Sequence, residues 1–506
     1  MRRSSTPQPG QANLGGLGVV GSSVTQMRNL AIGLRHGPTA WDLVAWVPTE
    51  QADRLDGLDG SHSERGGGTL LIGPDSESNA AWLRREVPWL RPSVVGSTPS
   101  VGFGDRLGIA TPGHVRAMAG ASELTPVFAQ QSPRELDRTK RTFANVMTAA
   151  TFGVLASGWR SGWGADADHL KTGDQLDAAV SAGFTTFTVD PSDHVQDVSF
   201  DAPHSVIEAA LDRVPWTALG DDRDQLVRRY PDSVEIEGTS VALGAERIAI
   251  AAARFGGAVA HVAAMHTRLR AATASTAVEL EVAVDELPFP TTAVDHVYLA
   301  SEFHRLGISW VGLAPGFVGV FEKGVDYIGD PERFAGDVAL HAALARHFGP
   351  YKLSLHSGSE KFSILHSFSR ATYPFLHLKT SGTSYLEALR AVGMANPELL
   401  RRIWATTLAS YATSRTAYHV SAPSEGLPEP GQMTAAQLVG LLDHDASRQA
   451  LHVSFGAVLA DAPATIGVAQ GLGEEVRCFL WANRDEYWSL VASHLARHVS
   501  YLRGEP

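Results

Sequence analysis

The sequence predicts an α/β protein built around a (β/α)8 barrel of the TIM type, on three observations. Eight short apolar segments between residues 105 and 382 alternate with stretches of helical periodicity. Most of these segments run into Asp, Glu, His or Lys, as expected of strands whose C-terminal ends open on an active site. No glycine-rich phosphate loop of the dinucleotide-binding kind interrupts them. An open doubly wound sheet remains the alternative, because a sequence does not display closure.

Taken in order, residues 1 to about 20 are rich in Gly, Ser, Pro and Gln and read as flexible. "AWDLVAWVP" and "TLLIG" read as strands, "LDGSHSERGGGT" between them as a loop, and "SNAAWLRREV" as a helix. Residues 1–100 are thus expected to form a flexible N-terminus and a small α/β region. The barrel is expected over 101–392. Its strand candidates are "DRLGIATPGH", "TPVFAQQSP", "GWGADADHLK", "FTTFTVDPSDH", "AVELEVAVDE", "GISWVGLAP", "YKLSLHSGSE" and "FLHLKTSG". Helical segments such as "PRELDRTKRTFANVMTAA" and "DPERFAGDVALHAALARHFG" separate them. Past residue 383 the periodicity is helical throughout, so residues 393–506 are expected to form a helical extension.

Composition narrows the function. Of 506 residues, 44% are hydrophobic and 19% charged, as in a soluble globular protein with a large core. A net charge of −12 lacks the basic footprint that nucleic acid requires. Cys478 is the single cysteine, which excludes a disulfide framework and a thiolate metal site. No signal-peptide core follows the N-terminal arginines, and no stretch approaches the roughly 20 apolar residues of a membrane helix. A cytoplasmic enzyme with neither nucleic-acid nor membrane partners is expected, and a homo-oligomer is left open.

The strand ends carry the chemistry. The third supplies Asp166, Asp168, His169 and Lys171, and the fourth Asp190, Asp193 and His194. The fifth supplies Glu281, Asp285 and Glu286, the seventh His356, Glu360 and Lys361, and the eighth His377 and Lys379. Taken singly, each has an ordinary reading: a strand histidine is more often a hydrogen-bonded core residue, and Asp193 suits a helix cap. A barrel, however, gathers such ends around one mouth, where imidazoles and carboxylates match a divalent cation such as Zn²⁺ or Mn²⁺. Lys171, Lys352, Lys361 and Lys379 would add positive charge suited to an anionic or polyhydroxylated substrate.

"GADADHLKT" (164–172), "FTVDPSDH" (187–194), "FEKGVDYIGD" (321–330), "LHSGSEKFS" (355–363) and "HLKTSGTSYLEALR" (377–390) resemble the tagaturonate epimerase family. "GFGDRLGIATPGH" (102–114) and "AQQSPREL" (129–136) extend that resemblance over the whole proposed barrel. It implies a metal-dependent epimerase acting on D-tagaturonate and D-fructuronate, or on the neutral ketoses tagatose and fructose. It further implies His169 as a metal ligand, Asp168 as proton acceptor and Glu286 as its acid partner. His356 and His377 would be further ligands. Apart from the resemblance, Gln131, Asp190 and the four lysines are the candidate substrate contacts. The chain departs from the family pattern at Gly316, where an Arg is expected, and at "ILHSFSR", which brings in His366. The rival readings are a metal-dependent sugar isomerase or aldolase on the same barrel, and a non-catalytic sugar-binding protein. A C4 inversion would proceed by retro-aldol cleavage, with transient oxidation as the competing route.

Overall fold

A computed structural model describes residues 13–418, 420–460 and 471–504. Residues 1–12 of the stretch expected to be flexible lie outside that set. Leu30–His36 and Trp41–Pro48 are buried on both faces, one packed on the main core and the other on a small cluster with Leu14 and Leu70. These strands, β2 and β3, join β1 (Thr25–Met27), β4 (Ser61–Arg65) and β5 (Gly68–Pro74) in an antiparallel sheet ordered β1-β2-β3-β5-β4. Strand β4 falls inside the expected loop "LDGSHSERGGGT". It is an exposed polar edge, so it lacks the apolar alternation that marks a strand. Gly66 and Gly67, with φ of 55° and 73°, make the two-residue turn that returns it to β5.

The eight parallel barrel strands follow. They are β6 (Ser100–Gly104), β7 (Thr125–Gln131), β8 (Gly164–Leu170) and β9 (Thr186–Val189). After an excursion come β12 (Glu279–Val284), β13 (Gly312–Pro315), β14 (Lys352–Leu355) and β15 (Leu376–Thr380). The ring closes between β15 and β6, where His377 pairs with Ser100. The excursion carries several short helices, a hairpin of β10 (Ser233–Ile236) and β11 (Thr239–Ala242), and the helix Ala245–Ala272. By length and composition that helix could cross a membrane, which the sequence reading did not anticipate. Here 67% of its most apolar window is buried inside the protein.

The first barrel strand lies earlier than expected. "DRLGIATPGH" is a turn leading into the helix Thr111–Ala117, and the strand is the preceding "SVGFG". The Asp105 carboxylate accepts the N–H groups of Leu107, Gly108 and Ala110, and Pro112 sits in the first turn of the helix. The C-terminal helices close over the barrel, with Arg484–Leu502 packed on Thr111–Ala117 and Thr383–Ala395. Trp41 of β3 stacks on Trp488 and meets Trp481 edge-on, so sheet, barrel and extension share one apolar core.

His114 is fully buried in that core, stacked on Phe103 with its Nε2 2.8 Å from Ser384 Oγ. Burial lowers its pKa from 6.5 to about 4, with Asp105 acting in the opposite sense. The unfolded chain therefore binds a proton between these values that the folded chain does not, and stability falls as pH drops through that window. At pH 5 the loss attributable to this residue is up to about 2 kcal/mol. Denaturant midpoints measured from pH 7 to pH 5 should fall less steeply for His114→Gln than for the parent. Equal slopes would contradict this assignment.

Candidate active site

Side chains two apart along a strand share a face, and here the inward face of the barrel is polar. Asp166 and Asp168 of β8, Thr188 of β9, Glu281 of β12, Ser354 of β14 and Lys379 of β15 meet inside it. The Lys379 ammonium lies 2.6 Å from Asp166 Oδ2, 2.7 Å from Asp168 Oδ1 and 2.9 Å from Glu281 Oε1, all buried. Burial alone would favour a neutral amine, but the three carboxylates hold Lys379 well above the usual lysine range. Lys379 in turn, with His169 and His356, holds Asp168 well below the carboxylate range against the opposing effect of burial. Burial raises Asp166 to about 6 against the pull of Lys379, with the charges of Asp168 and Glu281 acting in the same sense as burial.

Strand β8 is bulged where it leaves the barrel. Its register with β9 shifts between Ala167 and Leu170, and His169 has φ of 52°. This turn aims His169 at His356, which follows β14. His169 Nδ1 faces Asp190 Oδ2 at 3.2 Å, and His356 Nε2 faces Glu281 Oε1 at 2.8 Å. Each carboxylate fixes a proton on the nitrogen it accepts from, so the other nitrogen of a neutral ring carries a lone pair. Those two nitrogens, His169 Nε2 and His356 Nδ1, face each other at 3.2 Å. Two lone pairs so placed repel unless a proton or a cation lies between them.

The surroundings favour positive charge at that point. Burial lowers both histidines, yet Asp168, the Asp190 hydrogen bond, Asp285 and Glu286 carry His169 up to about 10. His356 is raised as well. The buried Asp285 Oδ1 lies 3.2 Å from His356 Nδ1 and has no hydrogen-bond partner. Two groups, Asp168–His169–His356 and His169–Asp190–Glu286, bring ligating atoms within 4.8 Å of one another and could hold a metal ion. The donors are imidazole nitrogen and carboxylate oxygen, a set suited to a divalent cation. A cavity of about 270 Å³ opens beside them, lined among others by Asp285, Glu286, Phe317, Lys323, His356 and Ser357.

Over residues 35–502 the chain matches the tagaturonate epimerase family. It belongs to that family. A tagaturonate/fructuronate epimerase from Thermotoga maritima is 40% identical over 429 residues, 85% of this chain and 86% of that protein. Two crystal structures of a fructuronate-tagaturonate epimerase from Cohnella laeviribosi, one native and one with a single glycerol, superpose closely. Their TM-scores are 0.88 and 0.87 at 30% identity, each covering 96% of both chains. The chain is accordingly an isomerase-class enzyme, an epimerase, with the family's barrel.

Against this frame of a tagaturonate epimerase barrel, Asp168, His169, Asp190, His356 and Glu286 converge on one mouth. Glu286 is gripped by Arg134 through two bonds of 2.8 and 3.0 Å. Burial opposes its ionisation, but His169, Lys323 and Arg134 hold it well below the carboxylate range, so it rests as an anion. His377 lies one layer deeper, bonded to Ser100 Oγ at 2.8 Å, and joins neither ligand group. Lys352 shares that layer, with its Nζ 3.2 Å from the same hydroxyl. Gln131 donates to Glu135 Oε2, and Lys171 pairs with exposed Asp193 at 2.6 Å. His194 stacks on His261 at 4.2 Å beside a separate surface cleft, and His366 lines another.

Lys361 turns away from the mouth and donates to the carbonyls of Glu322, Val325 and Ser359. Its neighbour Glu360, at φ 67°, binds His494 Nε2 at 2.8 Å and Arg448 Nη2 at 2.8 Å, while its N–H donates to His498 Nε2. Glu360, His494 and His498 form a third potential metal group, but Arg448 and this N–H already occupy its ligating atoms. The polar ending of "YKLSLHSGSEKFS" is therefore a clasp between the His356 loop and the C-terminal helices. The pocket residues Arg106, Arg134, Lys323 and Ser357 escaped the sequence reading. Arg134 follows β7 at a barrel strand end, and Lys323 stands in the quoted motif "FEKGVDYIGD", so signals for both were present.

Removing the ammonium from Lys379→Met would leave three buried carboxylates uncompensated. Denaturant unfolding at neutral pH should show a loss of about 3–5 kcal/mol. A loss below 1 kcal/mol would contradict the role given to this cluster.

Proposed function

We propose that the chain interconverts D-tagaturonate and D-fructuronate with a divalent cation, by retro-aldol cleavage of C3–C4 and re-addition. The observation that carries the reading is the pair of carboxylate-anchored imidazoles whose facing nitrogens stand 3.2 Å apart. His169, His356 and the Asp285 carboxylate, 3.2 Å from His356 Nδ1, would hold the ion. Asp168 is less suited to that task, because the Lys379 ammonium occupies its Oδ1. The relatives named for both hexuronates support the choice of substrate.

C4 is β to the C2 ketone, so its C–H bond gains no acidity from the carbonyl, and direct proton abstraction there would be slow. Breaking C3–C4 requires only that the C4 hydroxyl lose its proton. A bound cation would supply Lewis-acid stabilisation for the charge that builds on the C2 oxygen, worth several kcal/mol.

The epimers present the C4 hydroxyl on opposite faces, so two proton-handling groups are needed. Asp168 and Glu286 are both kept ionised, by Lys379 and by Arg134 respectively. Asp168 takes the hydroxyl proton of one epimer as C3–C4 breaks. The aldehyde then turns about C4–C5 and re-adds, and its new C4 oxygen takes a proton from a solvent water held by the Glu286 carboxylate, whose side chain is 21% exposed. Asp168 releases its own proton to solvent, which restores the starting charge. The reverse reaction exchanges the two roles.

Stripping the protein with a chelator should abolish conversion of D-tagaturonate, and restoring Mn²⁺ or Zn²⁺ should return it. Asp190→Asn, which weakens the anchor of His169, should lower cation affinity about 10–100-fold by calorimetry. Asp168→Asn should lose turnover while still binding the cation. Full activity after chelation with no residual metal would contradict the metal-dependent reading.

A further inference from the structure

Besides its histidines, the small polar pocket at the site is lined, among the described residues, by four lysine and arginine side chains: Arg106, Arg134, Lys323 and Lys379. Three are committed to carboxylates. Arg106 Nε pairs with Glu135 at 2.9 Å, Arg134 grips Glu286, and Lys379 holds three acids. Lys323 differs. Its ammonium donates to a neutral partner, Ser357 Oγ, at 2.5 Å, and its ion pair with Glu286 is long, 3.7 Å, and shared with the closer Arg134. It also lines the adjoining 270 Å³ cavity, so its charge faces the space where substrate must lie.

The chain around Lys323 is anchored on both sides. Val320 and Ile328 bridge through paired backbone hydrogen bonds, and Phe321 packs on Tyr327. The Glu322 carboxylate accepts from Ser421 and Gln449, its carbonyl accepts from Lys361, and the Gly324 carbonyl accepts from Arg448. An ammonium on so fixed a backbone loses little freedom when it meets an anion.

We propose that Lys323 binds the substrate's C6 carboxylate and sets the preference for hexulosonates over neutral ketohexoses; the assignment rests on the epimerase reading above. In retro-aldol cleavage the carboxylate belongs to the C4–C6 fragment, the one that must turn. Holding C6 lets the aldehyde rotate about C4–C5 without leaving the site. The contact is the same before, during and after the bond change, so its loss affects binding and spares the chemical step.

Steady-state kinetics on D-tagaturonate with the metal-loaded protein test this. Lys323→Met and Lys323→Gln should each raise KM about 10- to 100-fold, the loss of a charge-assisted hydrogen bond, with kcat within about threefold. Lys323→Arg should restore most of the affinity. Unchanged KM in whichever neutral variant folds would overturn the assignment. A fall in kcat at unchanged KM would overturn it too, placing Lys323 in the proton chemistry. A parent protein unable to turn over tagaturonate would overturn the epimerase reading itself.

Discussion

The ammonium of Lys379, held within 2.9 Å of Asp166, Asp168 and Glu281, is the constraint on which the rest of this barrel depends. TIM barrels commonly fill their interior with branched apolar side chains. Here the Lys379 ammonium and three acids take up one layer of that place, an arrangement tolerable only with close pairing. Three carboxylates share one ammonium in this layer, so other groups are needed to meet their charge. His356 takes up part of it through Glu281, and His169 is drawn into a cationic state by the neighbouring acids. The same facing imidazoles, with the carboxylates around them, form a group that could hold a metal ion.

Holding those imidazoles requires more than the strands. His169 leaves β8 through a bulge at positive φ, and the His356 loop contains two further left-handed residues, Ser357 and Glu360. Such backbone is maintained only where its surroundings over-determine it. The C-terminal helices do this through His494, His498 and Arg448, all directed at Glu360. Lys361 ties the same loop to the one bearing Lys323. The helical extension thus belongs to the geometry of the mouth, although none of its histidines enters either ligand group there.

Much of this was legible in the sequence because barrel chemistry sits at strand ends. "GADADHLK" and the His356 ending pointed to the mouth where Asp168, His169 and His356 come together, and the rhythm of eight units pointed to the barrel. The period of two also shows where reading stops. It places His377 and Lys379 on one face, but not that His377 lies a layer below, beside Ser100 and Lys352. Nor does residue type reveal partners. Lys361 and Lys323 are both lysines after barrel strands, yet one is consumed by backbone carbonyls and the other faces the cavity. The first strand was displaced because "DRLGIA" has strand-like composition, while Asp105 folds it into a turn by accepting three backbone N–H groups.

The central claim is that this charge cluster serves to break and remake a carbon–carbon bond. Heavy-atom isotope effects on the conversion of D-tagaturonate to D-fructuronate test it most directly. Retro-aldol chemistry predicts normal ¹³C effects at both C3 and C4, no primary deuterium effect at C4, and no solvent deuterium at C4 of the product. A primary deuterium effect at C4 with no ¹³C effect at C3, or deuterium gained at C4 from D2O, would contradict the account.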